Sequence, residues 1–325
     1  MKKLTLLLFI LMSVPAFAQT TAVPDANFEQ ALIDLGHDTG SPDGSVLTAN
    51  ISGLTGLAVN YKGINDLTGI EDFVALTYLD CRNNSITGLD VSSSTSLTDL
   101  LCSSNQLTSL DVTNNTALIS LRCGYNQISA LDMSANVLLE ELYCHGNQLT
   151  GLDLSSNTAL FMLEASDNQL TDLELSSNTA LTDVFCSANQ ITSLDLSTNT
   201  VLVYLSCYQN QLTCLNVKNG NNLNVFSGGF QADMNSLSCI EVDDPTWATA
   251  NWTAAAYAID PGVTFSTNCS NACSNIATGL EEYSNQPKKL IRIIDYLGRE
   301  TTFKPNTPLI YQYDDGSVEK VMEVW

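Results

Sequence analysis

Only two histidines, His37 and His145, occur among 325 residues, and 12 basic side chains face 35 acidic ones. Neither histidine stands in an H-E-x-x-H spacing or another metal-ligand pattern. No G-x-S-x-G, phosphate-binding loop or dinucleotide fingerprint occurs either. His145 with Ser166 and Glu164 makes a superficial triad, but nothing around it supplies an oxyanion hole or excludes water. The sequence therefore predicts a protein that is not an enzyme, with no cofactor and no metal centre. A net charge of −23 repels phosphate backbones and anionic membrane surfaces, which excludes nucleic acid as a partner. Long apolar runs are missing too. Leu4 to Val14 is too short to span a bilayer, and it lies between Lys2-Lys3 and the small-x-small site Ala16-Phe17-Ala18. Residues 1–18 read as a secretory signal peptide, and no transmembrane segment is expected.

The chain is rich in one phrase. Seven consecutive 21-residue segments begin at Leu76, Leu97, Leu118, Leu139, Leu160, Leu181 and Leu202. Each follows L-x-x-L-x-C-x-x-N-x-L-T-x-L-D-V/L-S-x-N-T-x with small departures. A fixed period of this length predicts a solenoid with one coil per repeat, each coil burying its neighbour's apolar edge. The first half of each coil alternates apolar and polar residues, so it should form a short strand of one parallel sheet. The expected class is an α/β-type repeat solenoid with mostly irregular return sides.

The constant columns read as scaffold. Leu79, Leu100, Leu121, Leu142, Leu163, Val184 and Leu205 should face inward. Asn84, Asn105, Asn126, Asn147, Asn168, Asn189 and Asn210 stand where the chain leaves the strand, and an amide there can both donate to and accept from turn backbone. Cys81, Cys102, Cys123, Cys144, Cys186 and Cys207 place one thiol per coil in a line rather than in a tetrahedral cluster, and Ala165 fills the same position once. A buried thiol ladder used as compact packing is the reading. Asp90, Asp111, Asp132, Asp153, Glu174 and Asp195 fall on the return side; calcium is conceivable there, but solvated turn caps are expected.

Three strand-face columns break the monotony. They are Tyr78, Asp99, Ser120, Glu141, Met162, Asp183 and Tyr204; then Asp80, Leu101, Arg122, Tyr143, Glu164, Phe185 and Ser206; then Arg82, Ser103, Gly124, His145, Ser166, Ser187 and Tyr208. Aromatic and charged residues on an open sheet resemble the make-up of recognition surfaces. The candidate ligand-binding residues are Tyr78, Arg82, Leu101, Arg122, Tyr143, His145, Met162, Phe185, Tyr204 and Tyr208. The competing reading is a surface spacer without a specific ligand, since aromatics favour strands anyway.

The remaining segments frame the rod. Residues 19–53 carry an amphipathic helix with Phe28, Leu32 and Leu35 on one face after an Asp25 or Asn27 start signal, a natural N-terminal cap. The repeats run over 54–242, opening with a variant coil whose Leu54, Leu57, Val59, Ile64 and Leu67 point inward; Leu223 to Phe226 begins a degenerate coil. Residues 243–270, with Trp247, Trp252 and Phe265, form a C-terminal cap. In a secreted protein, Cys239 with Cys269 would clip that cap onto the last coil. Residues 271–287 read as a linker, and 288–325 as three or four short strands of a C-terminal module.

Over 54–242 the phrase L-x-x-L-x-C-x-x-N-x-L-T-x-L-D-V-S resembles the bacterial leucine-rich repeats, and within them the internalin J-like type with 21-residue coils and a cysteine ladder. Internalins are surface proteins whose concave face binds a partner. The resemblance thus implies adhesion or ligand capture, with a protein or glycan as the ligand. The tail, through Ile294-Asp-Tyr-Leu-Gly-Arg299-Glu and Tyr313-Asp-Asp-Gly-Ser-Val-Glu-Lys320, is similar to C-terminal sorting signals of the type IX secretion system of Bacteroidetes. That likeness implies the type IX machinery as a second partner, and a final place in the medium or on the outer-membrane surface.

Overall fold

The structure, a computed structural model, describes residues 19–225, 228–253, 258–270 and 273, together with Thr301 and the backbone of three strands near the C-terminus. Two compact units divide the chain, Met1–Ser274 and Asn275–Trp325. The expected signal peptide lies outside the described residues, as does the expected linker apart from Cys273.

The first unit is a parallel β-solenoid. Three-residue strands from Gly56–Ala58 through Tyr78–Asp80, Asp99–Leu101, Ser120–Arg122, Glu141–Tyr143, Met162–Glu164, Asp183–Phe185 and Tyr204–Ser206 pair in strict coil order, closed by Phe230–Gln231. The pairing is in register, with Leu79 opposite Leu100, Leu100 opposite Leu121, and so on to Leu205 opposite Phe230. The central leucine of each strand is wholly buried, because one coil cannot cover its apolar edge and the next coil does. The six ladder thiols are buried and unpaired, and Ala165 sits buried in line with them.

Asparagines stitch the coils. Asn147 donates its amide to the Cys123 carbonyl of the preceding coil (3.1 Å) and to the Cys144 carbonyl of its own (3.0 Å). Its Oδ1 accepts from the Ile128 N–H at 2.9 Å. The same bonds recur from Asn105 to Asn210. A second column does comparable work on the return side. Asn115, Asn136, Asn157, Asn178 and Asn199 are wholly buried, and Asn136 donates to Val112 and Asn115 carbonyls at 3.1 and 2.9 Å. The sequence signal for this column is the N-T pair that closes each repeat, as regular as the first asparagine.

The acidic column caps turns: Asp111 accepts from the Thr113 N–H and hydroxyl, and Asp90, Asp132, Asp153, Glu174 and Asp195 each accept from the N–H two residues on. No cluster of three metal-ligating side chains occurs among the described residues.

The return side is mostly irregular, as expected, and becomes regular only in the last coils. Ser193–Asp195, Cys214–Asn216, Cys239–Glu241 and Thr264–Ser266 form a second, four-stranded parallel sheet. In earlier coils the same L-D-V phrase makes no ladder. Cys239 pairs with Cys269, and Cys214 pairs with Cys273, so both disulfides tie this sheet to the chain that follows it. The sequence offered no reason to join residues 59 apart.

Caps close both ends. Helix Ala26–Asp34 starts at Asp25, whose Oδ1 accepts from the Asn27 and Phe28 N–H groups and whose Oδ2 accepts from those of Asn65 and Asp66. Phe28 and Leu32 are buried, but Leu35 is 45% exposed, because the helix ends one residue earlier and Gly36 turns away with φ 80°. Ala31 takes its place in the core. Leu54 is only half-buried, and Leu223 is exposed while Val225 and Phe230 fill the last coil. At the far end Trp252 is fully buried, stacked on Phe230 at 3.9 Å with Trp247 edge-on at 5.4 Å.

Burial raises the Asp25 carboxyl, but the four backbone donors outweigh it and hold the group below the ordinary value of 3.8. A lowered folded-state value contributes stability above that range and loses it as pH falls. Asp25→Ala should cost about 2 kcal/mol in urea unfolding at neutral pH, and the gap to the parent should narrow toward pH 3.

The second unit contains an antiparallel three-stranded sheet in the order Leu290–Ile294, Leu309–Tyr313, Val318–Val321.

Candidate recognition surface

Each strand hands its chain to a tight turn, and that turn decides what the exposed sheet face can display. The residue after the third face column takes a left-handed conformation in coil after coil: Tyr61, Asn83, Ser104, Tyr125, Gly146, Asp167, Ala188, Gln209 and Met234, with φ from 52° to 63°. From Asn83 onward these mostly non-glycine residues accept the strain because the asparagine just after each clamps the turn. The face columns are therefore held on rigid backbone, and their side chains are free to differ.

Strand pairing places Leu101, Arg122, Tyr143, Glu164, Phe185 and Ser206 on successive rungs. The Arg122 guanidinium lies 4.3 Å from the Tyr143 ring centre and donates to Glu141 at 3.0 Å; Ser120 joins the same carboxylate at 3.2 Å. Burial and then the Glu141 charge push the Tyr143 phenol upward, against the Arg122 charge over its ring. Tyr78, Leu101 and Arg122 line one open depression of about 240 Å³ with Asp99, Ile119, Ser120, Glu140 and Glu141.

One coil further, His145 lies over Gly124, and the Tyr125 ring meets it edge-on at 4.7 Å. A Cβ at Gly124 would come within 2.7 Å of the His145 ring, and one at Gly146 within 2.7 Å of Tyr125. The two glycines make room for two interlocked rings. Glu164 turns to the Ser166 N–H (3.2 Å), and His145 Nδ1 is buried without a hydrogen bond. These partners build no proton relay through His145.

Other members stand apart. Arg82 is committed to Asp80 through two bonds of 2.9 and 2.8 Å at the N-terminal end of the sheet. Tyr204 and Tyr208 stand exposed at the other end, six coils away, while Met162 and Phe185 are half-buried between. Asp80, Ser187 and Ser206 are buried, so parts of the three columns are not on offer.

Sequence reasoning confined the variable positions to the strand face, and the structure adds a rim beside it. Ile119, Val137, Leu138 and Val201 are exposed there, with Phe161 half-buried. Their signal was present as departures from the N-T-A-L-T stretch of the repeat.

The chain is a leucine-rich-repeat solenoid. It is similar to the functional domain of InlJ from Listeria monocytogenes, which includes a cysteine ladder, with 32% identity and a TM-score of 0.56 over 69% of this chain. The chain spans 57% of that structure's length. An internalin C2 from Listeria monocytogenes shares the fold at 22% identity and a TM-score of 0.56, over 70% of this chain and 100% of its own. No protein-family model and no curated protein matches the sequence. Among the described residues, no helix of this leucine-rich-repeat chain is long and apolar enough to cross a membrane.

Proposed function

We propose that this protein is a secreted or cell-surface binder that captures a protein or glycan through its concave sheet face, in adhesion or ligand capture. The carrying observation is one of contrast. A Ser/Thr/Asn-rich rod keeps its scaffold columns nearly constant, yet sets Arg122, Tyr143, Phe185, Tyr204 and Tyr208 on one rigid face. Arg122, Tyr143 and Phe185 are half-buried there and Tyr204 and Tyr208 exposed, and aromatic and guanidinium groups so placed are well suited to anchoring a partner. The N-terminal leader and the type IX-like tail support export, with the sorting machinery as a second partner.

Tyr143→Ala combined with Phe185→Ala is expected to abolish binding on glycan and protein arrays without lowering the melting temperature. An unchanged binding profile rejects this face as the site. A blank array together with self-association favours the spacer reading instead. Hydrolysis that disappears in His145→Ala would turn the assignment toward catalysis.

A further inference from the structure

The N-T-A-L-T stretch departs from its consensus chiefly in the middle of the rod, and again at Val201 and Val203 near its end. In Thr77, Thr98 and Thr182 the hydroxyl donates to the main-chain carbonyl one coil back, at 3.0, 2.9 and 3.1 Å. The three intervening rungs carry Ile119, Glu140 and Phe161 in that column, so the threonine ladder is given up there. The coil between also replaces Thr-Ala by Val137-Leu138, which are 51% and 54% exposed. The backbone is unaltered: Glu140 N–H still bonds to Ile119 O at 2.9 Å, and Phe161 N–H to Glu140 O at 3.0 Å. These apolar side chains lie on adjacent rungs, and exposed methyl groups contribute nothing to stacking the coils.

Ile119 and Glu140 line the same depression as Arg122, so the Ile119 end of the rim meets the strand face. The charge of this surface is one-sided. Arg82 and Arg122 are already paired with Asp80 and Glu141, while no basic side chain among the described residues pairs with Asp99, Glu164 or Asp183. The cluster of Ile119, Val137 and Leu138, with Phe161 half-buried beside it as its one ring, offers a sugar no directed hydrogen bond. It matches the apolar centre of a protein interface ringed by charge.

We propose that the partner is a protein presenting an apolar side chain flanked by lysine or arginine, seated on the Ile119–Val137–Leu138–Phe161 rim and reaching onto the acidic strand face. This rests on the concave-face reading above and narrows it from protein or glycan to a basic protein surface. Carboxylates on the face without a cationic partner favour such a protein by charge complementarity and speed its approach.

The test restores the repeat's own consensus. The full-length protein and its I119T/V137T/L138A/F161T variant are used to select from a phage-displayed random peptide library, and both are applied to a glycan array. Selected peptides are expected to combine an apolar anchor with Lys or Arg, and the variant should bind them roughly tenfold or more weakly at an undiminished melting temperature. D99N/E164Q/D183N should flatten the dependence of that binding on salt. Neutral or acidic selected peptides, no selected peptide, or equal binding by the variant overturns the proposal. Glycan binding lost in Tyr143→Ala/Phe185→Ala but intact in the consensus variant also overturns it, while leaving the concave-face reading standing. Self-association that vanishes in the consensus variant assigns the rim to a second copy of the chain and overturns it as well.

Discussion

Between neutral pH and about pH 10 the folded protein is expected to lose several kcal/mol of stability, chiefly through its cysteine ladder. Six free thiols are wholly buried between the coils. Burial is the main cause that pushes Cys81, Cys123 and Cys186 up to about 12, with Asp80 adding to the first and Glu164 to the third. Cys102, Cys144 and Cys207 rise well above the ordinary value of 9.0, again by burial and then by neighbouring thiols. In the unfolded chain each thiol ionises near its ordinary value, while the folded state keeps the proton. Above pH 9 the unfolded state therefore binds fewer protons, and stability falls as pH rises. Each thiol accounts for on the order of 1 kcal/mol at pH 10. Below about pH 8 the ladder has no effect on the pH profile.

Urea unfolding at neutral pH and at pH 10 measures the loss. Replacing the six ladder cysteines by alanine, the residue that already stands at Ala165, should flatten the alkaline slope. An equally steep fall in the alanine variant would refute the assignment. The proposal for the exposed face does not depend on this result, because the ladder lies on the opposite side of each strand.

The second large effect is expected from Asn147→Ala, on the order of 4 kcal/mol. The change strips the Ile128 N–H of its acceptor and takes one of two donors from each of the Cys123 and Cys144 carbonyls, which keep Asn126 and Asn168, in a largely buried place. The N–H left unsatisfied costs about 1–3 kcal/mol, and each carbonyl bond lost adds about 1 kcal/mol. The adjacent Gln148 is exposed, and Gln148→Ala should shift stability by less than about 0.5 kcal/mol. In a solenoid each coil contacts only its neighbours, so a lesion at the centre should also uncouple the two halves. Chemical denaturation read by fluorescence and by circular dichroism should then give two transitions that no longer coincide. A single coincident transition with a small shift would show that the asparagine column is not a joint.

How far the chain could be read in advance depended on whether a residue's partner recurs at a fixed offset. The inward leucines, the first asparagine column and the acidic caps were legible, because each meets the same groups one coil away, at a distance the 21-residue period fixes. The buried second asparagine column was equally periodic, but its N-T signal also fits an ordinary exposed turn. Leu35 and Leu223 carried the right apolar character at the wrong point. One lies just past a helix end, the other ahead of a coil whose core is filled by Val225 and Phe230. Cys214 and Cys273 could not be joined from sequence, since the return sheet that brings them together exists only in the last coils. On the face, Tyr143 was recognisable as unusual. That Arg122 lies over its ring and is already paired with Glu141 follows from rung order and side-chain reach.

The sequence by itself determined the solenoid, its period, its core columns and the sign of its charge, because these follow from repetition and composition alone. The tertiary structure decided which carboxylates pair with a cation, which glycines seat the His145 and Tyr125 rings, and where an apolar rim joins the strand face. Those outcomes depend on contacts between side chains in different coils. A one-dimensional period carries the spacing of the coils and not the direction in which each side chain leans.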